Sequence, residues 1–275
     1  MLNSRKIAFI GGGVMGEAIA RSLLRSDRVQ PDAIVVAEPL EARRVRLAGE
    51  FGIQVTANNT EAVAGAHVVI LSVKPQVMPA VLRGLRGHVA ADTLVVSIAA
   101  GVPIRLIAEG LGDGHPIVRA MPNTPAQIGE GITGWTCTPA VTEAQREQAR
   151  VILQCMGKEV FFEDEDYLDM VTALSGTGPA YVFLFMEALI DVGVHLGFSR
   201  AVAEYLVMQT VKGSVDYAMQ SGQHVAQLRN QVTSPAGTTA EALYILEEGG
   251  LRTVLARAVW AAYERSVALG RKANE

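Results

Sequence analysis

The chain has 275 residues, a length that allows two domains with sizeable cores. Its net charge is −4, with no basic cluster, which argues against nucleic acid as a partner. Hydrophobic residues make up 49% and charged residues 19%, yet no uncharged apolar run reaches membrane-spanning length, because Glu187 and Asp191 break the richest one.

In chain order, Ile7–Ile10 reads as a short buried strand. Gly11, Gly13 and Gly16 follow in the spacing G-x-G-x-x-G, and a helical pattern begins at once with Met15, Ile19, Leu23 and Leu24 apolar. Strand, glycine turn and helix in this order make a dinucleotide site. Gly11 permits the tight turn, Gly13 lets a pyrophosphate approach the backbone, and Gly16 lets helix and strand pack closely. The helix N-terminus offers free N–H groups to the phosphates. A basic start, an apolar run and Ala18-Ile19-Ala20 loosely fit a secretory signal, but three consecutive glycines and Glu17 argue against one.

A second strand, 33–37, ends at Glu38. This acid is about twenty residues past the glycines, where a carboxylate accepts the adenosine ribose hydroxyls. It would repel a 2′-phosphate, so NADH is favoured over NADPH. Arg43 and Arg44 could soften that preference, although a solvated helix face accounts for them more simply. A helix over 40–51 and a strand over 54–56 come next, with Asn58 and Asn59 in the following loop. The run 68–73 is a strand covered on both faces and ends in Lys74-Pro75. Another strand, 93–98, ends in Ala99-Ala100-Gly101, small residues against which a flat ring can lie. The strand 117–120 ends in Met121-Pro122-Asn123-Thr124-Pro125.

Strands alternating with helices predict an α/β domain with a mostly parallel, doubly wound sheet, whose ligands sit at the carboxyl ends of the strands. Two closing strands, 132–136 and 159–162, flank a helix over 142–156. The acidic run Glu163-Asp164-Glu165-Asp166 marks the domain boundary, with acids suited to a helix start. A domain over 1–162 and another over 163–275 are expected.

The second domain reads as all helix. Ser175-Gly176-Thr177-Gly178-Pro179 opens a helix that Gly197 stops near Leu196. Ser199 caps the next, which runs to Gln220 with Val202, Leu206, Met208, Val211, Val215 and Met219 around much of its circumference. So small a domain can hardly bury all of this alone, so an interleaved homodimer is expected. Ser234 is the expected cap of a later helix, with Pro235 in its first turn. The N–H groups of Ala236 to Thr239 then form a pocket for a small anion such as a carboxylate. An ordinary capped helix is the alternative; Ala236, Gly237 and Ala240 keep this end open. Cys137 and Cys155 make no disulfide framework, and the five histidines show no ligand spacing, so no metal is expected. A cytoplasmic location is the default expectation.

These motifs, taken together and in order, resemble those of the pyrroline-5-carboxylate reductase family over nearly the whole chain. The resemblance rests on Gly11 to Gly16 with Met15, Val73-Lys74-Pro75, Ser97 to Gly101, Met121 to Pro125, Leu174 to Tyr181 and Thr233 to Thr239. It implies an N-terminal Rossmann domain that binds NAD(P)H and a C-terminal helical dimerisation domain, with rings of dimers in many members. By position, Ile10, Gly11, Gly12, Gly13, Val14 and Met15, together with Gly16, would bind the cofactor. So would Asn59 at the adenosine ribose, Ser72, Val73, Lys74 and Pro75, and Ile98, Ala99 and Ala100 beside the nicotinamide. The substrate carboxylate would sit on Ser234, Gly237, Thr238 and Thr239, with Glu165 near the substrate. Family members often carry Gly or Asn in place of Ala236, and Asn or Arg in place of Gln231.

The implied reaction is hydride transfer to the C=N of 1-pyrroline-5-carboxylate, giving L-proline, the last step of proline biosynthesis. Thr239 would donate a hydrogen bond to the ring nitrogen. A 2-hydroxyacid or β-hydroxyacid dehydrogenase, or a related imine reductase, is an alternative; the hydroxyacid enzymes often need a lysine on the first long helix, and residues 179–196 contain none. A dinucleotide-sensing regulatory protein with a degenerate site is another. The intact glycines and the Thr238-Thr239 pair count against it.

Overall fold

The computed structural model of the protein describes Leu2 and residues 5–272. The few other residues at the outer ends of the two expected domains lie outside the described residues. The chain divides into two compact units, one of residues up to 177 joined by those from 262 on, the other of residues 178–261.

The first unit runs β1 (Ile7–Ile10), α1 (Val14–Arg25), β2 (Ile34–Ala37), α2 (Glu41–Phe51), β3 (Gln54–Thr56) and α3 (Asn59–Val63). It continues with β4 (Val68–Leu71), α4 (Met78–Leu85), β5 (Leu94–Ser97), α5 (Ile104–Leu111) and β6 (Ile117–Met121). It closes with β7 (Gly131–Cys137), α6 (Glu143–Gln154), β8 (Gly157–Phe161) and α7 (Tyr167–Val171), then one π-helical turn, Thr172–Gly176.

The eight strands form one sheet in the order β3-β2-β1-β4-β5-β6-β7-β8. All neighbours are parallel except β6 and β7. The fold is therefore the expected doubly wound α/β architecture, followed by helices. β1, β2, β4 and β5 are buried at every position. Their alternation explains why. Ile7 and Phe9 face one core with Ile19, Leu23 and Leu47 of α1 and α2. Ala8 and Ile10 face the other with Ala62, Leu82 and Ile107 of α3, α4 and α5. A strand covered on both sides has no polar face, so its sequence is a continuous apolar run. Each fully buried Ile, Phe or Leu contributes about 1.5–3 kcal/mol.

The strand order reverses between β1 and β4. The chain ends of these two strands therefore splay apart and leave a crevice above the sheet rim. β4 stops at Leu71, two residues earlier than expected. Ser72 turns over the glycine loop, its Oγ donating to the carbonyls of Ile10 at 3.2 Å and Gly11 at 2.8 Å.

The second unit holds α8 (Gly178–His195), α9 (Arg200–Ser221), α10 (Val225–Gln231), α11 (Thr238–Glu248) and the first half of α12 (Leu251–Lys272), whose second half belongs to the first unit. Ser199 caps α9 as expected, its Oγ accepting the Val202 N–H. A side chain added at Gly193 would approach Ala203 Cβ to 3.0 Å, so α8 and α9 pack closest at this small pair. Among the described residues of this unit, only Ile190 and Ala203 are buried. Phe183, Leu184, Leu196, Tyr205, Met208, Met219 and Trp260 are all exposed.

By length and composition alone, one helical stretch, Tyr167–His195, could cross a membrane. It carries three acids, of which Asp169 faces Arg119 at 3.5 Å and Asp191 pairs with Arg200 at 2.9 Å.

A contiguous apolar surface of this extent belongs to an interface. The midpoint of thermal unfolding is therefore expected to rise with protein concentration, as it does when association stabilises the fold. Calorimetry over a hundredfold dilution series checks this; a midpoint independent of concentration would mean that each chain is stable alone.

Candidate active site

The glycine turn lies at the β1/β4 crevice. Gly11 has φ of +104°, a conformation that L side chains rarely adopt, and a Cβ there would lie 2.9 Å from the Ser72 carbonyl oxygen. A Cβ on Gly16 would come within 2.5 Å of the Gly11 oxygen, so α1 rests directly on the strand end. Gly13 differs. It is the N-cap of α1, with ordinary extended backbone, and a Cβ there would meet no protein atom within 4 Å. No side chain caps this helix start. The helix start is thus uncapped and open beside Gly13, an arrangement that suits a diphosphate. Val14 is exposed and Met15 half-buried.

Glu38 directly follows β2 and is 4% exposed. Its Oε2 accepts the Gly12 N–H at 3.0 Å and its Oε1 accepts the Leu40 N–H at 3.1 Å. The carboxylate thus braces the glycine turn from the side. Arg43 Nη1 stands 3.8 Å from it, while Arg44 donates to the carbonyls of Glu38 and Pro39. Arg44 is therefore part of the turn rather than a solvated helix residue. Further out, the Glu17 carboxylate bonds Arg46 and holds that guanidinium's pKa above its ordinary value.

Asn58 lies in the loop as expected, but Asn59 does not. Asn58 caps α3 by accepting the Thr60 N–H at 2.9 Å, and Asn59 is the first residue of that helix, half-buried. Val73 is half-buried beside Gly11; Lys74 is exposed, and Pro75 opens a short 3-10 turn. On the far side of the crevice, Ile98, Ala99 and Ala100 follow β5. The Ile98 N–H donates to the Leu71 carbonyl at 3.1 Å, and the Ala99 N–H donates to Ser97 Oγ at 3.4 Å. The first unit thus has its expected cofactor residues after the carboxyl ends of β1, β2, β3, β4 and β5.

Glu165, expected near the substrate, is already engaged through one oxygen. Its Oε1 accepts from Arg119 Nη1 at 2.7 Å and from the Ile104 N–H at 2.8 Å. Arg119 itself was not anticipated. It sits on β6, 5% exposed, between Val118 and Ala120. A lone arginine in an otherwise apolar buried strand is the signal that could have identified it, because a buried charge demands a partner.

In the second unit, Ser234 is not the cap of α11. The segment Ser234–Gly237 first makes a tight turn, closed by the Gly237 N–H donating to the Ser234 carbonyl at 3.1 Å. Ala236 occupies the left-handed region of this turn, with φ of +55°. That explains why glycine or asparagine would suit the position. Gly237 is the N-cap, and Thr238 and Thr239 are the first two helical residues. The Gly237 N–H is therefore spent, and the open donors begin one residue later. No side chain caps the helix. Thr239 is half-buried, and its hydroxyl has no hydrogen-bond partner among the described residues. Gln231 is engaged within its own unit: it donates to Gln223 at 2.7 Å and lies 3.5 Å from the Tyr217 hydroxyl.

Comparison with known proteins agrees with these two elements. A family model described as pyrroline-5-carboxylate reductase dimerisation matches residues 165–269, and one described as NADP oxidoreductase, coenzyme F420-dependent, matches residues 6–101. A pyrroline-5-carboxylate reductase of Pseudomonas aeruginosa is 41% identical over 274 residues, covering 100% of both chains. One from Synechocystis is 43% identical over 269 residues, covering 98% of this chain and all of its own. The crystal structure of a Plasmodium falciparum pyrroline carboxylate reductase with NADP bound superposes with a TM-score of 0.90 at 33% identity, covering 98% of this chain and 99% of that one. With relatives this similar over its full length, the chain belongs to the pyrroline-5-carboxylate reductase family.

Proposed function

We infer that the chain catalyses hydride transfer from NAD(P)H to the C=N bond of 1-pyrroline-5-carboxylate, giving L-proline as the last step of proline biosynthesis. The observation that carries this reading is whole-length similarity to reductases of that name, with the glycine turn and the α11 start both intact.

The dinucleotide supplies the hydride when bound. We assign its grip to Ile10 through Gly16, Glu38, Asn59, Ser72 through Pro75, and Ile98 through Ala100. Ser234 and Gly237 shape the turn that delivers the chain to α11 beside the substrate carboxylate, and Thr238 and Thr239 present the open donors to it. Thr239 donates a hydrogen bond to the ring nitrogen as its electron density grows, a contribution that orientation makes effective. Glu165, whose Oε1 is shared by Arg119 and Ile104, is placed near the substrate without a direct bond being assigned to it.

Glu38, buried and negative beside the turn, supports NADH as the better cofactor, even though the Plasmodium protein was captured with NADP. The exposed helical faces support a homodimer, on which a ring of dimers can be built, and the dimerisation model's start at residue 165 supports a functional boundary at 162/163. The stretch Tyr167–His195 is then an interface helix rather than a membrane span, and a cytoplasmic location fits a biosynthetic reductase.

The direct test is oxidation of NADH or NADPH by purified protein, dependent on added 1-pyrroline-5-carboxylate, with proline as the product. Oxidation with a 2-hydroxyacid couple instead, or binding without turnover, would replace the reading. Thr239→Ala is expected to lower turnover by roughly one to two orders of magnitude, read by steady-state kinetics. Gly13→Ala is expected to fold normally, since the added methyl meets no protein atom, yet to weaken dinucleotide binding by about tenfold or more, measured by titration calorimetry. Catalytic efficiency is expected to be higher with NADH than with NADPH, and Glu38→Ser to erode that difference.

A further inference from the structure

The 98–103 loop, read above as the seat of the nicotinamide, is held from beneath at both ends. At its start, the Ala99 N–H donates to Ser97 Oγ. In its middle, Gly101 has φ of +67°, and a Cβ there would meet Leu269 Cβ of α12 at 2.9 Å. At its end, Pro103 caps α5, and the first helical N–H, that of Ile104, is taken by Glu165 Oε1 at 2.8 Å. The same oxygen accepts from Arg119 at 2.7 Å. Arg119 stands beside Ser97 in the parallel β5–β6 register, so it spans from the strand that launches the loop to the acid that fixes its far end. Its second nitrogen lies 3.5 Å from Asp169, whose Oδ1 accepts the Ser266 hydroxyl at 2.6 Å.

This geometry has a directional consequence. The guanidinium is rigid, planar and almost fully buried, so it determines where the Glu165 carboxylate can sit. The carboxylate in turn determines where α5 begins, and with it the end of the loop. A lysine would keep the charge but lose the fork that reaches two acids at once.

We propose that Arg119 is a positioning residue for the reaction, acting through Glu165 on the 98–103 loop. It touches neither ligand. It holds the backbone of Ile98 to Ala100 at the height from which hydride transfer is aligned, where a small misplacement is costly. The proposal rests on the reading of that loop as the nicotinamide seat.

The test uses Arg119→Lys, Glu165→Gln and the double variant in the full-length protein, with three readouts. Amide hydrogen exchange is expected to speed up at Ile104 and across 98–103, while the amides of β1 and β4 keep their protection. Turnover is expected to fall roughly tenfold to a hundredfold, as for a slightly misplaced reacting group. The isotope effect with C4-deuterated cofactor should increase, and KM for the substrate should stay within twofold. The double variant is expected to be no worse than the poorer single one, since the pair acts as a unit.

Folded variants with unchanged exchange at 98–104, or losses that multiply in the double variant, would overturn the proposal. Should Arg119→Lys fail to fold, Glu165→Gln, altered at a partly exposed position, decides alone by the same exchange and isotope readouts. If the native protein oxidises no cofactor with this substrate, the functional reading fails, whereas the exchange readout still reports whether Arg119 orders the loop.

Discussion

A helical unit with only Ile190 and Ala203 buried cannot be stable by its own packing. Ordering each residue costs about 1–2 kcal/mol of backbone entropy, and helix propensity alone does not offset that. The apolar side chains that should offset it are displayed around α8, α9 and α12 instead of being enclosed. Association is therefore a condition of folding for this part of the chain, and everything carried on α11 inherits it. The sheet unit is the opposite case. It has two closed cores, one on each face, and β1, β2, β4 and β5 are buried from end to end.

The two site elements use one physical device in different settings. At Gly13 and again at Gly237, a helix begins without a capping side chain and leaves its first amides unclaimed. At the first, the approach is cleared by the absence of a Cβ and by the splay between β1 and β4. At the second, a tight turn through Ala236 delivers the chain to the helix start. Within the sheet unit, side chains are used as braces. Glu38 supports the glycine turn, Ser72 ties β4 to it, and Glu165 supports the start of α5.

What was legible in the sequence follows from how local each cause is. The glycine turn could be read because its requirements, a positive φ at Gly11 and close contacts at Gly11 and Gly16, are met by residue type alone. The central strands could be read because two-sided burial writes a continuous apolar run. The start of α11 was misread by three residues, since Ser234 and Pro235 suit a cap and a first turn equally well as they suit the tight turn they form. Asn59 was placed in a loop because a five-residue helix carries too little periodicity to register. The partners of Arg119 lie 46 and 50 positions away, so no spacing rule could pair them. The arginine in an apolar strand announced only that some partner must exist.

The last turns of α12 return to the sheet unit, where Ser266 bonds Asp169 and Leu269 presses on Gly101. This last part of α12 is thus a wedge beneath a loop encoded about 165 residues earlier. Disturbing the 262–269 segment would be felt at the rim of the sheet, far from it in sequence. Synthesis must therefore pass residue 269 before that loop has its full support.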